Sequence, residues 1–248
     1  MIRLFRKIRQ QLLSEDKYPV YLLYAAGEIA LVVIGILFAL QIDNWNEDRK
    51  LREEASGFQE TLRADLVKDT ILIASQLDIL VKDTVQLYGF VRRMSGEHVT
   101  LDTLVRIARY EYNPWIYTNI SFNRNTLTSL QSTGKLGILE PWLQNDLLEL
   151  NAMHQAYRND TESDVRSFLD QLNVYNTKYP FPDYGHIDPD SRLSEVIWNE
   201  VKFRELAIDL NSIVALKYVS DLPCIAHLNR IQKKSKEILA KLPGDPEK

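Results

Sequence analysis

Residues 20–40 read VYLLYAAGEIALVVIGILFAL. Apart from its tyrosines this run holds one ionisable group, Glu28. As a helix rising ~1.5 Å per residue it extends roughly 30 Å, the thickness of a bilayer's hydrocarbon core. The competing reading is a buried helix of a soluble protein. Such helices keep a polar stripe, whereas residues 29–40 are apolar on every face. The run predicts a transmembrane helix over residues 20–41. It passes directly into Gln41, Ile42, Asp43 and Asn44 without a small-residue cleavage site, which predicts an uncleaved anchor.

The flanks set the expected topology. Arg3, Arg6, Lys7, Arg9 and Lys17 precede the span against two acids, Glu15 and Asp16, while residues 41–60 carry three cations, Arg49, Lys50 and Arg52. Basic residues are retained on the cytoplasmic side, so residues 1–19 are expected in the cytoplasm and residues 42–248 outside it. Tyr18, Tyr21 and Tyr24 at one end and Trp45 at the other suit the two headgroup belts, and Gln41 and Asn44 can satisfy polar groups where the helix leaves hydrocarbon. Leu4, Phe5, Ile8 and Leu12 recur at helical spacing with Arg3, Arg6 and Lys7 opposite and Arg9 on the flank. This pattern fits an interfacial helix on anionic lipid, and equally a basic segment that only orients the span.

A carboxylate inside the span rarely faces lipid. On a helix Glu28 shares a face with Tyr21, Tyr24, Val32, Gly35 and Ala39, beside Gly27. Gly35 and Ala39 form a small-xxx-small pair that permits close helix approach. Three readings of Glu28 stand: an ion-handling group in an oligomeric pore, a protonated donor in helix packing, and a carboxyl that reaches a polar partner without chemistry of its own.

Residues 42–248 hold 25 basic and 31 acidic side chains, an ordinary aqueous surface. Leu51, Ala55, Phe58, Leu62, Leu66, Ile73, Leu77, Leu80, Leu87 and Val91 predict one long helix up to Ser95-Gly96, continuing the anchor. Its irregular spacing fits a bundle at least as well as a coiled-coil stalk. A short helix is expected from Thr100, an irregular aromatic stretch over 110–125, a helix over 122–136 stopped at Ser132-Thr133-Gly134, and a long helix opened by Glu140-Pro141 and closed before Tyr179-Pro180. The aromatics of 110–125 could line a ligand pocket, though capping the bundle end is the plainer role. An extended segment over 184–189 follows. A helix then spans Ile197 to Val219, kinked or divided by Leu222-Pro223 from a terminal one. The fold class is all-α: a single transmembrane helix followed by an extracytoplasmic antiparallel helical bundle.

Chemistry is sparse in this sequence. With a net charge of −4 and a pI near 5.7, a nucleic-acid partner is not expected, because phosphate neutralisation needs a basic surface. Cys224 stands alone, so no internal disulfide or cysteine zinc cluster can form. His98, His154, His186 and His227 lie in no metal-ligand spacing, and Asp160, Glu162 and Asp164 lack a calcium-binding loop. Cys224 and His227 could pair on one helix turn, but a small buried thiol is the ordinary role. No cofactor, metal or enzymatic activity is expected.

Residues 27–50, GEIALVVIGILFALQIDNWNEDRK, preceded by the basic MIRLFRKIRQQLLSE, closely resemble the N-terminus of a family of uncharacterised single-pass membrane proteins of Bacteroidota. Residues 126–139, TLTSLQSTGKLGIL, look like that family's second recurring motif. The Gly27-Glu28 pair and the exit residues Gln41, Asn44, Trp45 and Asn46 match its pattern. The resemblance implies a bacterial inner-membrane location and a helical periplasmic domain, and no activity. The expected role is a membrane-anchored interaction or sensory protein whose partners are the lipid bilayer and either itself or another membrane or periplasmic protein. The alternative is a homo-oligomeric ion channel with Glu28 on the packing or pore face.

The charge bias makes a direct prediction. A reporter active only after export should be active when fused after Lys248. Activity there of a reporter that works only in the cytoplasm would reverse the topology.

Overall fold

The structure is a computed structural model that describes residues 18–180, 188 and 190–244. Among the described residues every regular element is helical. Helix α1 is Tyr18–Met94, 77 residues long. Helix α2, Leu101–Arg106, runs into a π-helical turn, Ile107–Glu111, and α3, Asn125–Ser132, is followed by a 3-10 turn, Lys135–Ile138. Helices α4, Pro141–Asn176, α5, Arg192–Asn199, and α6, Phe203–Lys241, complete the order. The chain divides into two units, Met1–Gly57 and Phe58–Lys248.

The described part of the first unit is helical from Tyr18 onward. It contains an apolar window of mean hydropathy 2.2, none of it buried. Among the described residues this is the one helix long and apolar enough to cross a membrane, a character shared by membrane spans and signal sequences. Leu31 is 74% exposed and Phe38 66% exposed, a surface that water does not favour.

In the second unit the core side of α1 follows a strict spacing. Leu62, Leu66, Asp69, Ile73, Leu80, Asp83, Leu87 and Phe90 are buried, and Gln76 is half-buried between them. With Gln76 included the steps alternate four and three residues, the 3.5-residue repeat that keeps one face turned to a neighbour. The seam expected from the sequence looked irregular because its two aspartates were counted as polar. Pairings along the other long helices run in opposite directions. On α4 and α6, Asp146 meets Lys241 and Lys234, Thr161 meets Cys224, and Lys178 just beyond α4 meets Asp209. On α1 and α6, the Thr70 carbonyl accepts from Gln232, and Asp83 meets Lys217. The Arg63 guanidinium donates to the Leu242 carbonyl at the end of α6.

Local chemistry explains the boundaries. The Thr100 hydroxyl accepts from the Thr103 N–H and starts α2, and Pro141 occupies the first turn of α4, where its missing N–H costs nothing. Helix α3 begins at Asn125, three residues later than the sequence suggests. Asp69 of α1 accepts from the Asn123 N–H (2.9 Å) and side-chain amide (2.7 Å), and Asp65 accepts from the Thr126 hydroxyl (2.6 Å) and N–H (3.3 Å). Two carboxylates from another helix thus do the work of an N-cap, for Arg124 at the cap position provides no side-chain bond.

Two further expectations change. Residues 197–219 do not form one helix, because α5 ends at Asn199 and α6 starts at Phe203. Nor does Pro223 divide α6, which is unbroken to Lys241. Pro223 and Val219 both lie on the exposed face, so the carbonyl that proline deprives of a donor can be hydrated. The segment expected at 184–189 lies outside the described residues, Asp188 excepted.

Gly134 has φ +68°, the left-handed conformation that ends α3 and turns the chain into the 3-10 turn. A Cβ there would touch nothing within 4 Å, so its backbone angle alone sets the cost. Gly134→Ala should lower stability by about 1–2 kcal/mol. Gly137→Ala, with equally free space and no positive φ, should be near neutral. Thermal unfolding of the detergent-purified chain reads both, and equal melting temperatures for the two variants would refute the assignment.

Candidate functional site

The sites expected from the sequence fall into three groups. Arg3, Arg6, Lys7 and Arg9 lie outside the described residues, and Tyr18 and Tyr21 are placed only as residues of α1. Glu28, Gly27, Val32, Gly35 and Ala39 lie on exposed turns of α1. A Cβ built at Gly27 or Gly35 would meet nothing within 4 Å, so no described part of the chain occupies this small-residue face. Gln41 and Asn44 are exposed, and Trp45, 61% exposed, lies 5.8 Å from the Arg49 guanidinium in a cation-π contact.

The densest polar arrangement lies elsewhere, on the inner seam of α1. Lys217 of α6 is 2% exposed, and its ammonium lies 2.8 Å from Asp83 Oδ2. It also donates to Asp83 Oδ1 (3.1 Å) and to the Asn113 carbonyl (2.8 Å). The same ammonium stands 5.3 Å from the Tyr117 ring centroid and 5.9 Å from that of Tyr112. Breaking such a buried pair costs roughly 3–5 kcal/mol, since the remaining charge is left uncompensated. Asn113 in turn donates to the Tyr117 hydroxyl (2.8 Å) and accepts from the Trp115 N–H (2.9 Å). One lysine therefore anchors the irregular stretch after the π-helical turn.

One turn along α6, Asp221 is 1% exposed. Burial pushes its carboxyl pKa up to about 8, and the adjoining Asp83 carboxylate pushes in the same direction against the opposing pull of Lys217. Lys217 already neutralises Asp83, so the proton resides on Asp221, where it can be donated to Asp83. The ammonium, the carboxylate and the neutral acid together carry no net charge. Sequence reasoning missed all three residues, because aspartate and lysine inside helices read as surface. The available signal was periodic: Asp69 and Asp83 fall on the 3.5-residue spacing of the buried leucines.

The Cys224 thiol packs 3.8 Å from the Thr161 hydroxyl, and burial pushes its pKa up to about 11, opposite to an activated nucleophile. His227 meets Asp160 at 3.2 Å. His154 stacks on Phe122 with centroids 3.9 Å apart, and burial, reinforced by Arg124, lowers its pKa to about 4. Among the described residues no three His, Cys, Asp or Glu side chains are arranged to hold a metal ion. The loop aromatics divide: Tyr112 is in the core, while Tyr110 and Trp115 are exposed.

A second face of α1 repeats the geometry of the first. Val67, Ile71, Val81, Val85 and Tyr88 are all exposed, Ile71 and Val85 by about two thirds. With Ala74 and Asp78 they too step by four and three, on the side of α1 opposite the buried seam. Helices apolar on opposite faces are covered on both sides. Here the described residues cover only one.

The buried acid sets a pH dependence. Asp221 has a pKa of about 8 in the fold against 3.8 for an unperturbed carboxyl, so the folded chain keeps a proton that the unfolded chain releases. Its stabilising contribution is complete below the lower value and is lost as pH rises through the higher one. Compared with Asp221→Asn, the wild type should lose stability between those limits. Melting curves of both proteins check this, and parallel pH profiles would contradict it.

No curated protein and no solved structure matches the chain. The model of a family of unknown function, DUF6090, matches residues 28–142, a little under half the chain. Over those residues, which run from Glu28 to the first turn of α4 and include the 126–139 motif, the chain is similar to that family.

Proposed function

We propose that this chain is a single-pass membrane-anchored interaction protein that docks a second copy of itself through the outer face of α1. Residues 20–41 cross the bacterial inner membrane with the N-terminus in the cytoplasm, and the helices after residue 42 form a periplasmic antiparallel bundle. The exposed seam of Val67, Ile71, Val81, Val85 and Tyr88 carries this reading. Its 3.5-residue spacing is the one that lets two helices interlock side chain into gap, and its β-branched Ile71 and Val85 fall seven-residue multiples apart, as two-stranded coiled coils favour. Anchoring in one bilayer points both copies the same way and raises their effective concentration, so a seam too short to dimerise alone can do so here. A small-residue face at Gly35 and Ala39 suits the same association within the membrane. The chain then presents a binding surface whose signal a partner relays.

Oxidative crosslinking in native membranes tests it, in a Cys224→Ser background. Val85→Cys should give disulfide-linked dimer in large excess over Ile79→Cys, which lies off the seam, and Val81→Asp should abolish that dimer. Equal yields at positions 85 and 79 would remove the interface.

A further inference from the structure

The cluster of Asp83, Lys217 and Asp221 places two acids and one base in the interior, 8%, 2% and 1% exposed. With every group ionised it would bury one uncompensated negative charge, so the closed cluster keeps one carboxyl protonated. Asp221 is that carboxyl. No N–H or hydroxyl donates to its shielded Oδ2, whereas Asp83 holds the ammonium at 2.8 Å. The titratable groups that face Asp221 are Asp83 from α1, Tyr157 from α4, and Lys217 and Cys224 from α6 itself. Of these, Lys217 alone favours its ionisation.

The Lys217 ammonium is divided between this cluster and the irregular stretch. It has both Asp83 oxygens within 3.1 Å and the Asn113 carbonyl at 2.8 Å, with the Tyr112 and Tyr117 rings beside it. The carbonyl is the one neutral acceptor of the set, and in a shielded site Coulomb attraction makes an ammonium prefer a carboxylate to an amide oxygen. Asp221 stands four residues beyond Lys217 on α6, the spacing at which helical side chains meet. Once ionised, it competes for the ammonium at close range.

Asn113 passes the hold of Lys217 along the chain. Its side chain donates to the Tyr117 hydroxyl and accepts from the Trp115 N–H, so one residue fixes the turn from 113 to 117. The stretch continues into residues 118–121, which with α4 line an open cleft of ≈ 380 Å³. Its far end is held separately, by Asp69 at Asn123 and Asp65 at Thr126.

We propose that the cluster is a proton-operated latch: loss of the Asp221 proton draws the Lys217 ammonium off the Asn113 carbonyl and frees residues 113–121 while the helices stay packed. The Asp221 O–H bond breaks, its proton passes to water, and the ammonium exchanges a carbonyl for a carboxylate. The cluster is then one unit more negative, and the opened stretch admits the water that solvates that charge. Burial holds the Asp221 pKa up at about 8, so the latch is closed at neutral pH and opens in alkaline medium.

Hydrogen–deuterium exchange of the full chain in nanodiscs reads the latch. After correction for the intrinsic pH dependence of exchange, peptides covering residues 112–121 should lose at least about tenfold in protection between about pH 7 and about pH 9. The loss should be reversible, and peptides of α1 and α6 around Asp83 and Lys217 should keep their protection. Asp221→Asn cannot ionise and should hold the stretch closed throughout. Asp83→Asn leaves Asp221 as the ammonium's carboxylate, so the stretch should be open already at neutral pH with helicity unchanged by circular dichroism. The proposal is overturned if the wild-type stretch is equally protected at both pH values or if Asp221→Asn shows the same loss. It is also overturned if α1 and α6 lose protection together with the stretch, or if folded Asp83→Asn is as protected at neutral pH as the wild type.

Discussion

The ammonium of Lys217 binds two groups each more than a hundred residues away from it, Asp83 on α1 and the Asn113 carbonyl in the irregular stretch, within the interior of the second unit. A charge buried to this depth is tolerated only when every donor finds an acceptor, and that demand fixes which turn of α6 lies against which turn of α1. A purely apolar seam with a 3.5-residue repeat could slide by seven residues and still bury leucines. With Asp83 in the seam such a slip would leave Lys217 without its carboxylate, so the ion pair sets the register while the leucines supply the hydrophobic gain.

Asp69 and Asp65 apply the same device about four and five turns earlier on α1. Their carboxylates hold the N–H groups of Asn123 and Thr126 and so tether both ends of residues 113–126: Lys217 grips Asn113, and the two aspartates grip the start of α3. Between those tethers the chain runs without regular structure past α4, and that path creates the cleft with Thr118 in its wall. The stretch is irregular in backbone yet closely bound at its ends. Bound ends, with the main-chain groups of residues 119–121 making no main-chain hydrogen bond to other described residues, suit a binding segment.

Helix α1 changes character along its length and around its circumference. Its N-terminal part holds the apolar window, and none of that window is buried among the described residues. Beyond residue 58 the apolar residues separate into two opposed stripes, one against the bundle and one exposed. Valine and isoleucine at positions 71, 81 and 85 give the chain an exposed apolar stripe, the surface on which the proposed association rests.

From the sequence alone came the all-helical class, the apolar run with its lone Glu28, the continuation of that run into one long helix, the Thr100 and Pro141 starts and the turn at Gly134. Each follows from short-range physics: periodicity, capping chemistry and the conformational freedom of single residues. The buried roles of Asp69, Asp83, Lys217 and Asp221 were decided by tertiary structure, because a charged side chain enters a core only when partners far along the chain arrive with it. The delayed start of α3 belongs to the same class, as its cap comes from residues about 60 positions away. Pro223 also stays within α6 for a reason no local window contains: the face on which it falls is left open to water.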